Sequence, residues 1–591
     1  MKSLIELIAD KVGEAFEKAG YDRKLAMVKH SDRPDLAEFQ SNGAMAGAKQ
    51  YRKAPFSIAE EVVDILKEDN DLSEVQAVNP GFINIRVSEE FLCAHLKNVA
   101  HTKKFGVSSD GISKKIIIDY GGANIAKPLH VGHLRSAIIG ESLKRILRYS
   151  GAEVISDVHL GDWGMPMGLI IAYISEEKPE LEYFNPDHTG SYPKEAPFSI
   201  SELEEIYPKA SARSKEDEVF HSKAMEFTKR LQAGDKGVRA LWRHIMNVSG
   251  SDLKKNYARL GASFDLWRGE SDADPAIKTM VDEFKRKNLA YESNGALIVD
   301  VEEEGDTRTI PPCIILKSDG AALYATSDLA TIEQRMSEFE PEEMVYVVDK
   351  RQELHFIQVF RAAGKARLVF PETRLSFVGF GTMNGNDGKP FKTRDGGVPR
   401  LENLMDEIKE KMLERINSSG HDISDEEKED IADKVSLAAL KYADLSNQPS
   451  KDYVFDPEKF TAFEGNTGPY LLYTIVRIKS ILQKAENSDK SKIDIVKTLA
   501  PSRTVAEKNL ALKLCGFAEA VETAAKELAP NRLSSFLYEL TTEFNTFYHE
   551  TKILSEKDEK VREGYLGLLA LCLKELEAGI ALLGFESPDK M

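Results

Sequence analysis

Apolar residues follow three different periods along the chain. Near the start, Leu4, Ile5, Ile8, Val12 and Phe16 recur at helical spacing, and Ile58 to Leu66 continues the pattern. Asn79-Pro80-Gly81 then reads as a turn into a strand in which Phe82, Ile83 and Ile85 supply apolar contacts. Residues 1 to about 112 are therefore expected to form a small α/β domain. From 113 to about 400, short apolar runs alternate with helical patterns. The strand-like runs are Lys115 to Asp119, Val154 to Val158, Leu297 to Val301, Met344 to Val348 and Leu375 to Phe380. Ile116, Ile117 and Ile118 show no polar alternation, as expected of a strand covered on both faces, and the series predicts a doubly wound parallel sheet. A polar, helix-rich stretch from about 181 to 295 (Glu202 to Ile206, Glu218 to Leu231) breaks the alternation and reads as an insertion. Residues 401 to 591 are helical throughout. There Phe536, Leu540, Phe544, Phe547 and Tyr548 make a stripe suited to an all-α helical bundle. The fold class is α/β multidomain.

Composition narrows the setting. A chain of 591 residues is too long for one core, and 42% apolar with 30% charged residues is a globular balance. No run of about 18 apolar residues is present, so no membrane span is expected. The start, Met1-Lys2-Ser3-Leu4-Ile5-Glu6, is amphipathic and acidic rather than a signal peptide. Cys93, Cys313, Cys515 and Cys572 form no Cys-x-x-Cys pair, which excludes a cysteine zinc site and fits free thiols in a reducing cytoplasm. No protein-bound structural metal is expected. The net charge of -18 argues against indiscriminate nucleic-acid binding but leaves room for a specific RNA bound at a local basic patch.

The chemistry concentrates between Ile116 and Arg135. The apolar strand ends at Asp119, Gly121 and Gly122 permit a sharp turn, and Leu134, Ala137, Ile138, Ile146 and Leu147 mark the helix that follows. A strand feeding a helix N-terminus in this way binds anions, because free N–H groups and the helix dipole point at them. His130 and His133 lie one turn apart and can face the same ligand.

His130-Val131-Gly132-His133 resembles the HIGH signature of class I aminoacyl-tRNA synthetases, and the stretch from Asp119 to Arg135 resembles that of arginyl-tRNA synthetases. The resemblance implies a Rossmann-like catalytic domain that uses ATP with Mg2+, joins arginine to AMP and transfers it to tRNA. It makes His130 and His133 donors to phosphate, Gly132 room for the nucleotide, and Lys127 a charge for the departing pyrophosphate. The second class I signature, KMSKS, corresponds to Gly388-Lys389-Pro390-Phe391-Lys392-Thr393-Arg394-Asp395-Gly396-Gly397. That loop resembles the degenerate form common in the family, whose lost lysine role falls on the residue matching Lys127. Lys392 and Arg394 are either phosphate ligands or an exposed basic loop.

Selecting arginine requires a carboxylate that pairs side-on with a planar guanidinium, a geometry lysine cannot reproduce. Tyr324 and Asp328, at i and i+4, share a helical face and match the family's guanidinium-holding pair. Asp328 read alone has a helix N-cap as its lesser alternative. Asp119 is the expected second acidic contact. Asn124, His130 and Gln352 match positions that hold the rest of the amino acid, and Gly121 stands where a serine is common in the family. His159-Leu160-Gly161-Asp162-Trp163-Gly164 resembles the family's block after the second strand, with Trp163 expected to pack.

Two further stretches resemble the family's RNA-contacting parts. Phe39-Gln40-Ser41-Asn42-Gly43-Ala44 and Pro80-Gly81-Phe82-Ile83-Asn84 resemble the N-terminal extension that touches the outer corner of tRNA, although Asn42 and Asn84 are also ordinary turn residues. Tyr470, Tyr473 and Arg477 share a helix face and match anticodon-facing positions; the stripe is either core or a platform for unpaired bases. The expected partners are tRNA(Arg), L-arginine and ATP, with no membrane, and the family implies a monomer. The rival readings are a non-catalytic tRNA-binding paralogue and another class I adenylate-forming transferase. The long helical C-terminal region counts against the transferase, and the intact His130, Gly132, His133, Asn124 and Asp328 count against the paralogue.

Overall fold

Four parallel strands organise the central region. Lys115–Asp119 lies between Glu153–Asp157 and Glu343–Asp349, and Arg374–Phe380 pairs with the outer side of Glu343–Asp349. The first strand thus has the second on one flank and the third on the other, the switch point at which such sheets open a crevice beyond their strand ends. A computed structural model describes the whole chain except residues 109–113, 128, 319, 386, 390–399, 419–422 and 490–491. Helix Val131–Tyr149 packs against the first three strands. Ile117 joins a buried cluster with Met280, Phe284, Leu329, Ile332 and Phe356. Burial from helices explains why this strand needs no polar positions.

One expected strand belongs elsewhere. Ala296–Val299 pairs antiparallel with Tyr291–Ser293 and Cys313–Leu316 rather than joining the parallel sheet. Asn294 and Gly295, at φ of 51° and 80°, make a two-residue hairpin turn, and such a turn returns the chain beside the strand it has just left. The polar interruption forms helices Ile200–Glu216, Glu218–Ala233 and Lys236–Arg259, with N-caps Ser199, Asp217 and Asp235. The chain meets the sheet edge again before residue 295, where Leu266 bridges Asp157 and Gly269 bridges Leu160.

By its contacts the chain divides into two units. One is Ile112–Thr461 with Leu583–Phe585; the other joins Met1–Gly111 to Ala462–Leu582 and Glu586–Met591. The expected boundary at residue 400 falls inside the first unit. Helices Leu401–Ser418 and Asp425–Leu445 belong with the parallel sheet, where Asp444 pairs with Arg135 of the helix behind it at 2.9 Å. Helical periodicity marks a helix but not the core it faces.

In the other unit, Ser3 and Glu6 form a capping box on helix Leu4–Lys18, which buries Leu4, Ile8, Val12 and Phe16. Asn84 sits within a strand, and its side-chain oxygen accepts from Gln40 Nε2 at 2.9 Å. Asn42 stands at the start of helix Gly43–Tyr51. Helix Asn531–Glu550 buries Phe536, Leu540, Phe544 and Phe547. Among the described residues no helix is long and apolar enough to cross a membrane.

Candidate active site

The glycine-rich turn and the helix it feeds build one end of the crevice. Gly121 and Gly122 both take positive φ, 92° and 53°, and the Gly121 N–H donates to Ser136 Oγ at 2.8 Å. His130 is the N-cap of helix Val131–Tyr149. Its Nδ1 accepts the Gly132 N–H at 3.0 Å, and His133 Nδ1 accepts the His130 N–H at 3.2 Å. With Nδ1 occupied as an acceptor, each neutral ring carries its proton on Nε2 and can donate it outward. Burial, the neighbouring His130 and Lys127 push the His133 imidazole down to about 3, so it is an uncharged donor at neutral pH. Burial and Lys127 lower His130 in the same direction. The two ring centroids are 4.0 Å apart. Gly132 proves necessary for a reason beyond room for the nucleotide. A Cβ there would lie 2.6 Å from His130 Cε1, so the missing side chain is the space the ring folds into.

The acidic end is assembled from distant segments. Tyr324 opens helix Tyr324–Phe339 and is 69% exposed. The cap of that helix is Leu323, whose N–H donates to Thr326 Oγ1 at 3.0 Å, which leaves Asp328 free of capping duty. Asp328 Oδ2 instead accepts from His355 Nε2 of helix Glu353–Ala366 at 2.6 Å. Glu270 begins helix Glu270–Arg286, and burial together with Asp162 and Asp328 pushes its carboxyl up to about 8. Burial and Glu270 also raise the Tyr324 phenol. Tyr324, Glu270 and Asp328 therefore share one electrostatic environment.

The block after the second strand sets this helix in place. Asp162 Oδ1 accepts the Ser271 N–H at 3.0 Å, in the first turn below Glu270. Trp163 packs edge-on against Trp242 with centroids 5.6 Å apart and donates to Asp274 at 3.0 Å. Lys127 reaches the inserted helix Ile200–Glu216, its ammonium 4.4 Å above the ring of Tyr207. Tyr207 in turn lies near enough to raise the Tyr324 phenol.

Asp119 is already paired inside the protein. It is 8% exposed and accepts from Arg335 at 2.6 Å, while the same guanidinium nitrogen reaches Asp157 at 2.7 Å. Asp119, Asp157 and His159 bring ligand atoms within 4.8 Å of one another, but Arg335 stands where a resident metal's charge would be. Asn124 bridges Gly161 beside the turn, and Gln352 is exposed at the start of the helix that carries His355. Lys392 and Arg394 lie outside the described residues.

In the second unit, Tyr470, Tyr473 and Arg477 do converge. Asn545 donates to the Tyr470 hydroxyl at 2.8 Å and accepts from Arg477 at 3.1 Å, and Arg477 donates to the Tyr473 hydroxyl at 2.9 Å. The Arg477 guanidinium lies 4.6 Å from the Tyr473 ring centroid and 5.2 Å from that of Tyr548. Sequence reasoning missed Glu270, His355, Tyr207, Asn545 and Tyr548. Only His355 carried a local signal, one helical turn after Gln352.

Comparison with known proteins identifies the segments that carry these residues. Residues 95–457 match the family model described as tRNA synthetases class I (R), catalytic domain. Residues 471–591 match the DALR anticodon binding domain, and residues 2–87 the arginyl tRNA synthetase N terminal domain. An arginine–tRNA ligase of Agathobacter rectalis is 53% identical over 597 residues, with 100% of both chains covered. One of Alkaliphilus oremlandii is 50% identical over 591 residues, again with 100% of each covered. Among solved structures, the arginyl-tRNA synthetase of Plasmodium falciparum shares the fold at a TM-score of 0.81 and 23% identity, covering 100% of both chains. The two histidines over one helix turn and the match of all three segments have a single explanation: the chain belongs to the arginyl-tRNA synthetases of class I.

Proposed function

We propose that the crevice joins L-arginine to AMP, using ATP that arrives with Mg2+ as substrate, and then passes the arginyl group to the 3′ end of tRNA(Arg). A carboxylate oxygen of arginine attacks the α-phosphorus, a new O–P bond forms, and the bond to the β-phosphate oxygen breaks as pyrophosphate leaves. The Nε2–H groups of His130 and His133 donate to phosphate oxygens as charge builds there, a preorganised form of stabilisation. Lys127 balances the departing pyrophosphate, with Lys392 and Arg394 as further cations. Asp328 and Glu270 receive the guanidinium, with Tyr324 at the mouth. Asp119 serves as counter-ion to Arg335, and Asn124 and Gln352 hold the amino-acid backbone. The tRNA ribose hydroxyl then attacks the arginyl carbonyl and AMP leaves.

The observation that carries this reading is the pair of imidazoles capping helix Val131–Tyr149 with both Nδ1 atoms occupied, so that two Nε2–H donors point outward, while Asp328 is held by His355 in an acidic cluster with Glu270. A site that leaves a carboxylate unpaired with the wrong substrate discriminates by about 10⁴-fold, so no editing step is required. Four buried free cysteines fit work in a reducing cytoplasm, and a single chain supplies all these residues, consistent with a monomer. Arginine-dependent ATP–pyrophosphate exchange, run with and without tRNA, tests the reading. Exchange that appears with arginine when tRNA is added supports it, and tRNA binding without exchange under any condition refutes it. Arg477→Ala is expected to weaken tRNA charging several-fold while arginine affinity stays unchanged, since aromatic and arginine side chains of this kind hold unpaired bases.

A further inference from the structure

Arg135 lies five residues after His130 and is 1% exposed. Its Nε donates to Asp444 Oδ2 at 2.9 Å and its NH1 to the Lys451 carbonyl at 3.0 Å. Its guanidinium also lies 5.1 Å from the Tyr453 ring centroid and 5.9 Å from that of Phe380. Those partners form the root from which the second signature loop departs. Phe380 ends the edge strand of the sheet, and Met383–Asn384 pairs with Tyr453–Val454. Between them, the Gly381 N–H donates to Pro449 O at 3.0 Å and the Thr382 N–H to Asp452 Oδ1 at 2.7 Å. Where the chain returns, Arg400 bridges His130, and the Leu401 N–H donates to Leu129 O at 2.8 Å. Both ends of the segment thus converge on one turn of the histidine helix.

We propose that Arg135 is a positioning residue for adenylate formation, tying the turn that carries His130 and His133 to the strand pair from which the second signature loop departs. Divergent donors on a rigid plane let one side chain bind a carboxylate, a carbonyl and two rings at once, which lysine's point charge does not allow. Stability alone does not explain the arrangement, because apolar residues of similar volume usually replace a buried ion pair at no loss. The assignment rests on the two histidines facing phosphate.

Three variants test it in pyrophosphate exchange with tRNA present: Arg135→Met combined with Asp444→Leu, Arg135→Lys, and Gly381→Ala. In the last, the added Cβ would sit 2.5 Å from both Asp452 Oδ1 and Lys451 O, disturbing the root without touching the helix. The expected result is kcat lowered at least tenfold in the double variant and in Arg135→Lys, and at least threefold in Gly381→Ala. Arginine KM stays within twofold and the melting temperature near that of the parent. A folded double variant with parental kcat overturns the proposal, as does an arginine KM that rises in step with the loss of kcat. If the double variant does not fold, Gly381→Ala decides, and parental kcat there overturns it. His133→Ala separates the two readings. Undiminished exchange in that variant removes the phosphate role, whereas loss there with full activity in the Arg135 and Gly381 variants removes only the positioning role.

Discussion

At the proposed nucleotide end, Lys127, His130 and His133 all come from one turn and the helix it feeds. At the acidic end, Glu270, Tyr324, Asp328 and His355 arrive from three helices separated in sequence. The first end is fixed by backbone hydrogen bonds between neighbours, so its donors hold their orientation without distant help. The second depends on how helices pack, and there burial, with Asp162 and Asp328, raises the affinity of Glu270 for its proton. In the proposed function one end would therefore be preorganised for an anion, and the other completed by the cation bound there.

That contrast is broken or kept by variants that touch one end alone. His133→Ala removes a preorganised donor and is expected to lower kcat by about 10²-fold in pyrophosphate exchange, the scale for one such donor. Arginine KM should not change. If KM moves as far as kcat, the two ends do not act separately. Asp328→Asn is the complementary test. It costs at least ~2 kcal/mol of transition-state binding, about 30-fold in kcat/KM for arginine, the scale of a lost charge-assisted bond, with ATP KM unaltered.

The proton held at the acidic end gives a third test. Glu270 sits among Asp162, Asp328 and the Tyr324 phenol, and its carboxyl is pushed up to about 8. In the free protein it is mostly neutral below that pH, so a bound guanidinium must displace a proton. Arginine affinity should then rise with pH up to about 8, by as much as tenfold per unit, and level off above it. Calorimetry in buffers of different ionisation enthalpy should register close to one proton released per arginine at pH 7. Glu270→Gln should abolish both the slope and the release, and a parental slope in that variant would place the titration elsewhere.

The same division governs what could be read from sequence. The capping turn of His130, Gly132 and His133 was legible because its geometry involves only residues within one helical turn, and the apolar strand before them announced its burial. Glu270 was not, because nothing around Gly269-Glu270-Ser271 indicates that Asp328 lies beside it. The pairing of Asp119 was hidden for a related reason: its partner Arg335 stands on a helix more than two hundred residues away, and a strand-end carboxylate read alone looks available. Leu297 to Val301 had the composition of a buried strand, but Asn294-Gly295 just before it set its direction. In the second unit, the cluster around Arg477 depends on Asn545 and Tyr548 from another helix, which spacing within the first helix cannot reveal.

Tyr207 offers the finest test, since it belongs to neither end. Its ring lies under the Lys127 ammonium at 4.4 Å, and it contributes to raising the Tyr324 phenol. A partly exposed cation–π contact contributes about 0.5–1 kcal/mol. Tyr207→Leu should therefore lower kcat about threefold by loosening Lys127, and Tyr207→Phe, which keeps the ring face, should retain nearly all of it. If the link also steadies the acidic end, the leucine variant will raise arginine KM by a similar factor while the phenylalanine variant does not. Equal behaviour of the two substitutions would mean that the ring does not hold the lysine, and that the inserted helix contributes only bulk between two independent halves of the pocket.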